Sequence, residues 1–381
     1  MKFLGIQLTM LIGKNIPKPA PSSLREAWIS AEVTHSDEGR SGFQISFQIG
    51  RDRTSNLKDY SVLSSNLLQP FSRVILIVTL DGKQNLLMDG LITHQQLLPH
   101  NDAGESILIV TGEDVSVMMD LEEKIVEHPA QNETAIARKI IGNYTKYGLV
   151  PKLIAPPTNQ PPSRTERVPI QHGTDLEYLQ KMAQRHAYVF YITPGPSPKT
   201  NTAYWGPPNR KAPPQPALSV NMGMDTNVTS IEFQYNALAA TLVAGQLQDS
   251  QTSKSSSLKI SKSAIKRLAK RSALQLQSAN VRTVIPQGIE GLNQSQAKTL
   301  AQAITDASLE NVVTAQGELD TLSYGNLLQA RSVVGLRGVG NSYDGLYYVK
   351  SVTHRIQPGK YAQHFTLTRE GLGAIASKVK I

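Results

Sequence analysis

The sequence contains no cysteine. This absence excludes disulfide bridges, thiolate metal sites and a cysteine nucleophile. Stability therefore has to come from a buried core. A chain of 381 residues, of which 40% are hydrophobic, can supply such a core over two or three ordinary domains.

Long apolar runs are missing as well. Residues 74–80 (VILIVTL) form the longest interior run, well short of the ~20 residues that a membrane helix needs. Residues 1–13 (MKFLGIQLTMLIG) faintly resemble a signal peptide, but apolar side chains occupy every second position: Leu4, Ile6, Leu8, Met10 and Ile12. A period of two predicts a β-strand rather than a cleaved leader.

Motifs of known catalytic chemistry are also absent from the sequence. It has no G-x-S-x-G, no H-E-x-x-H and no Gly-Lys-Ser/Thr phosphate loop, and the near match GRSG at 39–42 falls in a predicted hairpin turn. Gly335, Gly338 and Gly340 lack the dinucleotide-binding spacing and are predicted to lie in turns between strands. We expect no catalytic residue and no cofactor.

The eight histidines are scattered along the chain. Their nearest pairs, His94 with His100 and His354 with His364, do not have the i, i+3 or i+4 spacing of metal ligands on a helix. We expect polar or interface histidines and no metal site, while sites built from distant residues stay open. The adjacent carboxylates of Glu122 and Glu123 are predicted to be solvated on a helix surface.

Strand patterns dominate the first 115 residues. Phe43, Ile45, Phe47 and Ile49 alternate with polar residues in the clearest case. A second alternation places Ala27, Ile29, Ala31 and Val33 on one face and Trp28 on the other. Further strands are predicted at 74–80, 86–93 and 107–111, with turn residues between them. This pattern favours an antiparallel sheet or a small barrel.

Helical patterns follow between residues 116 and 195. Ile136, Ile140, Ile141 and Tyr144 share one face of a predicted helix at 135–144, with Asn132 as its N-cap. A second helix is predicted to begin at Thr174, with Glu177 completing a capping box. Its buried stripe consists of Leu176, Leu179 and Ala183. An aromatic strand is predicted at 188–192.

The remaining chain is predicted to contain a proline-rich loop at 194–216, strands around 218–242, a helix at 295–309 and strands at 333–336, 346–352 and 365–368. The predicted divisions are a β domain at 1–115, a small α+β domain at 116–195, a proline-rich loop with connecting strands at 196–245, a basic insertion and helix at 246–312, and a second part of the β platform at 313–381.

The formal charge is +9, and it is unevenly distributed. Residues 254–271 carry Lys254, Lys259, Lys262, Lys266, Arg267, Lys270 and Arg271. If this segment is helical, Leu258, Ile265 and Leu268 form a thin apolar stripe opposite the charges. Such a helix could bind nucleic acid, an anionic membrane or an acidic partner. We favour a solvated insertion or a contact with an acidic neighbour, because the segment has no aromatic residue on which bases could stack.

Three sequence blocks together resemble the phage late control D family, the hub proteins of contractile phage tails. The first is QHGTDLEYL at 171–179, followed by Met182, Ala183 and the strand YVFY at 188–191. The second is the helix that precedes this block, at 132–147. The third is YYVKSVTH at 347–354, with GKY at 359–361 and FTL at 365–367, which resembles the closing hairpin of the family. The proline-rich loop and the basic insertion depart from the family pattern.

The resemblance implies an α+β, mostly β fold, with two tube-like antiparallel β-barrel domains and an inserted small α+β domain. It implies a homotrimeric hub that joins the hexameric tail tube to a trimeric spike. The same hub fold forms the N-terminal part of type VI secretion spike proteins. The expected partners are a second and third copy, the tube protein, other baseplate subunits and a separate spike protein, since no needle-like β-helix segment is present.

The implied location is a virion tail, a baseplate or an injection-system particle, assembled in the host bacterial cytoplasm. No stable binding to nucleic acid or membrane is expected. One alternative is a basic nucleic-acid-binding protein that uses residues 254–271. A second alternative is a tail-associated hydrolase of the cell envelope, against which the missing catalytic motifs argue.

Overall fold

The computed structural model describes residues 2–3, 5–14, 16–50, 60–64, 67–102, 104–162, 168–248, 255–289 and 292–375. The architecture is mostly β, with large antiparallel sheets and a smaller α+β part, as the sequence predicted. Lys254 of the basic segment and Leu4 of the first strand lie outside the described residues.

The first β portion contains β1 (Lys2–Phe3), β2 (Ile6–Gly13), β3 (Lys18–Pro19), α1 (Ser22–Ala27), β4 (Trp28–Ser36), β5 (Gly42–Ile49), α2 (Ser61–Ser64), β6 (Arg73–Leu80), β7 (Lys83–Leu98) and β8 (Ser106–Asp114). Its strands pair in the order β1-β2-β6-β7-β8-β5-β4. The predicted period-two faces are confirmed: the apolar side chains of β2 and β5 are buried in one core. Burial of alternate side chains is what fixes the register of such strands.

One face of β4 differs from the prediction. Trp28 was placed opposite Ala31 and Val33, but all three side chains are buried. The register of β4 against β5 shifts between Trp28 and Ser30. A β-bulge of this kind inserts one residue, so the strand turns Trp28 toward the same core as its neighbours.

The α+β part contains a 3-10 helix at Val115–Met119, β9 (Lys124–Glu127), α3 (Glu133–Gly142), a second 3-10 helix at Thr145–Tyr147, β10 (Leu149–Leu153), β11 (Ile170–Gly173), α4 (Asp175–Gln184), β12 (Val189–Pro194) and β13 (Asn201–Gly206). Strands β10, β13 and β12 form one sheet, and β9 pairs with β11 in another. Helices α3 and α4 share a core with the three-stranded sheet.

Both predicted helix starts are confirmed. The side chain of Asn132 accepts a hydrogen bond from the Ala135 amide at 2.8 Å, and that of Thr174 accepts one from the Glu177 amide at 3.2 Å. These bonds satisfy backbone donors that would otherwise lack partners at the first turn. The predicted capping box at Thr174 is incomplete, because the Glu177 carboxylate lies 3.6 Å from Lys181 on the same helix and is not bonded to the cap amide.

Two local predictions in this part were wrong. The proline-rich segment 194–216 is not all loop, because β13 crosses it and pairs with both β10 and β12. The prolines flank this strand, whereas its own residues NTAYWG include none and are rich in strand-forming types. Glu122 and Glu123 precede β9 and do not lie on a helix; Glu122 is 3.5 Å from Lys124.

The rest of the chain contains β14 (Gln215–Ser219), a 3-10 helix at Gly223–Asp225, β15 (Val228–Tyr235), β16 (Thr241–Gln248), β17 (Ser255–Ile260), β18 (Ala269–Ser272), α5 (Ala273–Leu276), β19 (Arg282–Val284), α6 (Gln294–Ser308), β20 (Val313–Asp320), α7 (Thr321–Tyr324), β21 (Ser332–Arg337), β22 (Gly345–Gln357), β23 (Lys360–Arg369) and β24 (Gly371–Ala374). Helix α6 and the late strands confirm the predictions for these regions. Gly335 was predicted in a turn but lies within β21, whereas Gly338 and Gly340 do lie in the following turn.

The two β portions are joined edge to edge in a single large sheet. Strand β22 pairs antiparallel with β4, with His354 opposite Val33 and Val352 opposite His35. The strand order therefore continues from β4 through β22, β23 and β20 to β15. Between β1 and β15 the pairings of the described residues trace an open path rather than two closed barrels.

The insertion has a core of its own. Strands β17, β16 and β19 form a three-stranded sheet, and α6 packs on it through Ala297 and Ala301. The predicted domain boundaries stay predictions. In the part of the chain that the structure describes, no helix is both long enough and apolar enough to cross a membrane.

Candidate functional site: an exposed basic surface and its buried anchors

The six described cations of the predicted contact segment are all exposed: Lys259, Lys262, Lys266, Arg267, Lys270 and Arg271. We call them the basic surface. Lys259 lies on β17, the last two lie on β18, and the others occupy the extended chain between these strands. The structure thus presents these six side chains to solvent from one continuous stretch.

The helix considered for this segment does not form. Leu258 and Ile260 are buried against α6, while Ser257 and Lys259 point outward. This alternation is the period of a strand, and it was visible in the sequence SSSLKI at 255–260. Leu268 is buried in a separate cluster with Val333 and Tyr348, which attaches the end of the segment to the second β portion.

The six cations of the basic surface form no ion pair among the described residues, although the carboxylates of Asp306 and Glu370 accept hydrogen bonds from its backbone. Residues 255–289 contain seven Lys or Arg and no Asp or Glu. Among the ion pairs of the described residues, none involves any of the six cations. Arg267 makes only a long contact, 3.5 Å, to the side-chain oxygen of Gln275. Exposed cations without partners leave a surface that attracts acidic groups over about one Debye length.

A buried carboxylate holds this surface in place. Glu370 is fully buried and accepts hydrogen bonds from the backbone amides of Leu268 at 2.6 Å and Ala269 at 2.8 Å. Its other oxygen lies 3.2 Å from the guanidinium of Arg210, which is 5% exposed. A buried charge is tolerated when it is paired and hydrogen-bonded in this way. The position of β18 therefore depends on a residue about one hundred positions further along the chain.

A second buried charge connects three parts of the fold. Arg331 precedes β21, and its guanidinium donates to the carbonyl of Ser36 at 2.6 and 3.0 Å and to the hydroxyl of Ser41 at 2.8 Å. It also donates to the Ile192 carbonyl at 2.9 Å and the Thr193 hydroxyl at 3.0 Å. One side chain thus ties together the first β portion, the α+β part and the second β portion.

The backbone of Arg331 is also unusual, because its φ of 65° lies in the left-handed region. A non-glycine residue pays on the order of 1–2 kcal/mol for this conformation. Its five side-chain hydrogen bonds, and a backbone bond of 2.7 Å to the Val349 carbonyl, offset that cost.

A third junction joins β6 and β7 to the α+β part. Asp89 is buried and forms a two-pronged pair with Arg73, at 2.5 and 2.9 Å. Arg73 also donates to the Tyr147 carbonyl at 3.1 Å, and Asp89 accepts from the Lys199 amide at 3.0 Å. A bidentate arginine–carboxylate pair of this type fixes the relative orientation of the two side chains as well as their distance.

Two histidines lie at the seam between β4 and β22: His354 is buried and His35 is half-buried. The rings of His35 and His354 are 5.8 Å apart, and the Nε2 of His35 donates to the Leu87 carbonyl at 2.8 Å. The Nδ1 of His354 accepts from the Gln363 amide at 3.2 Å; that amide is oriented by its bonds to the backbone of Leu328. Burial lowers the pKa of both rings, which favours their neutral forms. Burial, followed by the charge of Arg331, lowers the pKa of His35 to about 3.

The structure brings together two further sets of polar groups. A cavity of about 210 Å³ between α3, α4 and α6 is lined by Glu133, Arg185 and His186. Glu133 pairs with Arg185 at 3.0 Å and more closely with the Nε2 of His186, whose Nδ1 is buried without a hydrogen-bond partner among the described residues. His100, Asp102 and Glu105 lie close together in the β7–β8 loop but are all exposed, an arrangement common without a bound metal.

Sequence reasoning found the basic surface but missed its anchors. Arg331, Glu370 and the histidine pair carry no periodic or motif signal, and their partners lie far away in the chain. The glutamate–arginine pairs of the structure could be anticipated only from the fold. The expectation that the chain has no catalytic, cofactor or metal site stays a prediction.

The fold is that of phage tail proteins. The chain is similar to a tail protein from Neisseria meningitidis MC58, with a TM-score of 0.65, 12% identity, and coverage of 97% of this chain and 98% of the other. It is also similar to the 43 kDa tail protein of prophage MuSo2 from Shewanella oneidensis, with a TM-score of 0.63, 11% identity, and coverage of 96% and 98%.

A third similar structure is a component of the type VI secretion system of E. coli, described as structurally similar to T4 bacteriophage tail proteins. Its TM-score is 0.53 at 9% identity, with 90% of this chain and 73% of that chain covered. No protein-family model and no curated protein matches the sequence. The fold likeness agrees with the resemblance to contractile-tail hubs that the sequence motifs carry.

Proposed function

We propose that this chain is a structural tail-hub subunit of a contractile phage tail or a phage-like injection system. In this role it joins a hexameric tail tube to a trimeric spike and performs no catalysis. The observation that carries the proposal is the single sheet in which both β portions are joined through β4 and β22. Together with the α+β part, this arrangement covers nearly the whole length of the similar tail proteins.

The mechanism proposed is geometric. If each copy contributes two β portions to a ring, three copies present six similar units to a sixfold tube and three to a spike. Such a ring requires a heterologous contact that closes on itself. The buried Arg331, Asp89 and Glu370 junctions make each copy rigid, and rigidity is what an adaptor needs when a tube is driven forward.

Assembly tests this proposal. The purified chain, alone and mixed with the tube, spike and baseplate proteins encoded beside its gene, is analysed by native mass spectrometry and electron microscopy. We expect a homotrimer located between tube and spike, with interfaces of roughly 2,000 Å² or more. Only monomers in every mixture, with no incorporation into tube-bearing particles, would count decisively against it. The particle is expected to assemble in the host bacterial cytoplasm.

A second candidate function is nucleic-acid binding by the basic surface, because its six exposed cations have no carboxylate partners among the described residues. Binding of this type weakens steeply with salt as counterions are released. Duplex DNA titrated at several salt concentrations distinguishes the two proposals. A steep salt slope that disappears when the six cations are replaced, with particle assembly unchanged, would favour this second function.

A further inference from the structure

The small sheet of β9 and β11 presents an apolar face to solvent. Ile125 is 78% exposed, Leu121 is 57% exposed and Ile170 is 41% exposed. Ile125 is opposite His172 and Ile170 is opposite Glu127, so the two isoleucines are diagonal neighbours on the same face. Single exposed apolar residues are ordinary, but two on one sheet face, with Leu121 only four positions before Ile125 in the chain, favour a contact with another molecule.

Carboxylates surround this apolar face. Glu122, Glu123 and Glu127 are exposed on β9 or just before it, and the one cation among them, Lys124, pairs with the buried Asp175 at 3.0 Å and with Glu122 at 3.5 Å, which leaves Glu123 and Glu127 without an ion pair among the described residues. We call the three apolar and three acidic side chains the acidic knob. Its partner must offer both an apolar surface and positive charge.

The basic surface offers both. A hollow of about 310 Å³ is lined by Arg267, Lys270, Ala269, Ala374 and Ile375. Ala269, Ala374 and the 55% exposed Ile375 give it apolar lining, and the other two lining residues are cations that form no ion pair within the described part of the chain. The hollow and the knob thus have complementary chemistry: the knob combines isoleucines with glutamates, and the hollow combines Ala374 and Ile375 with an arginine and a lysine.

We propose that the acidic knob of one copy docks into the basic hollow of the next copy, forming the contact that closes the ring. This inference rests on the proposed hub function. The contact is heterologous, as a cyclic trimer requires. A second copy fits better than DNA, because the knob is acidic and would be repelled by phosphates, and because the hollow has apolar lining. Charged pairs at the rim would guide docking and exclude wrong registers.

Charge reversal on each side tests the contact. One variant carries Arg267→Glu and Lys270→Glu, the second carries Glu123→Lys and Glu127→Lys, and the third combines all four. We expect each two-site variant to lower the association constant at least about tenfold, because like charges then meet across the contact. The four-site variant restores opposite charges and should recover most of the lost association. Analytical ultracentrifugation at low and high salt measures all three.

A variant with Lys83→Glu and Lys360→Glu controls for net charge, because both lysines are exposed at hairpin turns. It should associate like the parent. A second, uncharged variant, Ile125→Gln, should weaken association without changing the salt dependence. Circular dichroism melts check that each variant folds.

The experiment distinguishes a failure of the knob-and-hollow contact from a failure of the proposed hub function. If the parent forms trimers and the reversal variants do so equally well, or if the four-site variant is not rescued, the knob-and-hollow contact is wrong while the hub proposal stands. If the parent stays monomeric even with its tube and spike partners, both fail. Retained trimers with lost DNA binding in the basic-side variant would assign the hollow to nucleic acid instead.

Discussion

The guanidinium carbon of Arg331 lies 3.9 Å from the centre of the Tyr191 ring. This stacking places a buried cation on an aromatic face while all its hydrogen bonds go to other groups. Cation–π contacts gain strength when water is excluded, as it is here. Tyr191 belongs to β12, whereas Arg331 precedes β21, so the contact couples the α+β part to the second β portion.

Replacing Arg331 with methionine should destabilise the protein by about 3–5 kcal/mol. The change keeps an apolar stem but leaves the Ser36 and Ile192 carbonyls buried without their donor, and breaking a buried network in this way carries a cost of that size. Denaturant unfolding measures it. The matched control is Arg355→Met, which removes an exposed pair with Glu32 and should cost less than about 1 kcal/mol. Equal effects of the two changes would contradict this account of Arg331.

Truncating the buried stripe of α4 should also be costly. Leu176 is 4% exposed and Leu179 is fully buried, so replacing either with alanine should lower the free energy of unfolding by roughly 2–5 kcal/mol. Lys181→Ala on the exposed side of the same helix is the control and should change stability by less than about 0.5 kcal/mol. If either leucine variant is silent in thermal melts, the helix does not pack as described.

The histidine pair predicts a loss of stability in acid. The pKa of His35 is lowered to about 3, and burial followed by His35 lowers that of His354 well below its ordinary value. Between about pH 6.5 and 3 the unfolded chain binds protons that the folded chain refuses. The free energy of unfolding should therefore fall with falling pH, by up to about 1.4 kcal/mol per pH unit for each histidine.

Two carboxyl groups, the buried Asp37 and the half-buried Glu310, change stability in the opposite direction, so mutation is needed to isolate the contribution of the histidines. Burial raises the pKa of Asp37 to about 6 and that of Glu310 to about 7, so these carboxyls favour the folded chain as pH falls. Stability is therefore compared between the parent and His35→Gln, which keeps a donor for the Leu87 carbonyl. Between pH 6.5 and 4, the free energy of unfolding of the variant should fall less steeply than that of the parent. An identical pH profile would show that His35 titrates normally.

Replacing two glycines with alanine should change the stability of the protein in opposite directions. A Cβ on Gly112 would lie 2.3 Å from the Leu91 carbonyl oxygen and 2.3 Å from the Phe43 ring, whereas nothing lies within 4 Å of one on Gly142 in α3. We expect Gly112→Ala to destabilise by about 1–3 kcal/mol through overpacking. Gly142→Ala should stabilise by up to about 1 kcal/mol, since alanine favours a helix. Thermal melts of both variants give the two signs directly.

The local patterns predicted much of the fold. Alternating burial in β2 and β5 and the caps at Asn132 and Thr174 are properties of short sequence windows, and these predictions are confirmed. Strand β13 was not predicted, because the prolines on both sides of its six residues favoured a loop over the whole segment. The bulge at Trp28 could not be predicted, since it depends on the register against β5.

The site was less predictable than the fold. Exposure of the six cations follows from their charge, but the anchor at Glu370 joins residues about one hundred positions apart. The donors of Arg331 reach Ser36 and Ile192, which lie 295 and 139 positions away. No short sequence window contains both partners of such contacts, so only the folded chain brings them together.

The pairing of β22 with β4 has a consequence for synthesis of the chain on the ribosome. Strand β4 ends at Ser36, but its partner begins at Gly345. At 5–20 residues per second, roughly 15–60 seconds pass between the two strands leaving the ribosome. During that interval the free edge of β4 is exposed to other nascent chains. We therefore expect truncated products that end before β22 to aggregate, and a chaperone to be recruited to the early strands until the last ones arrive.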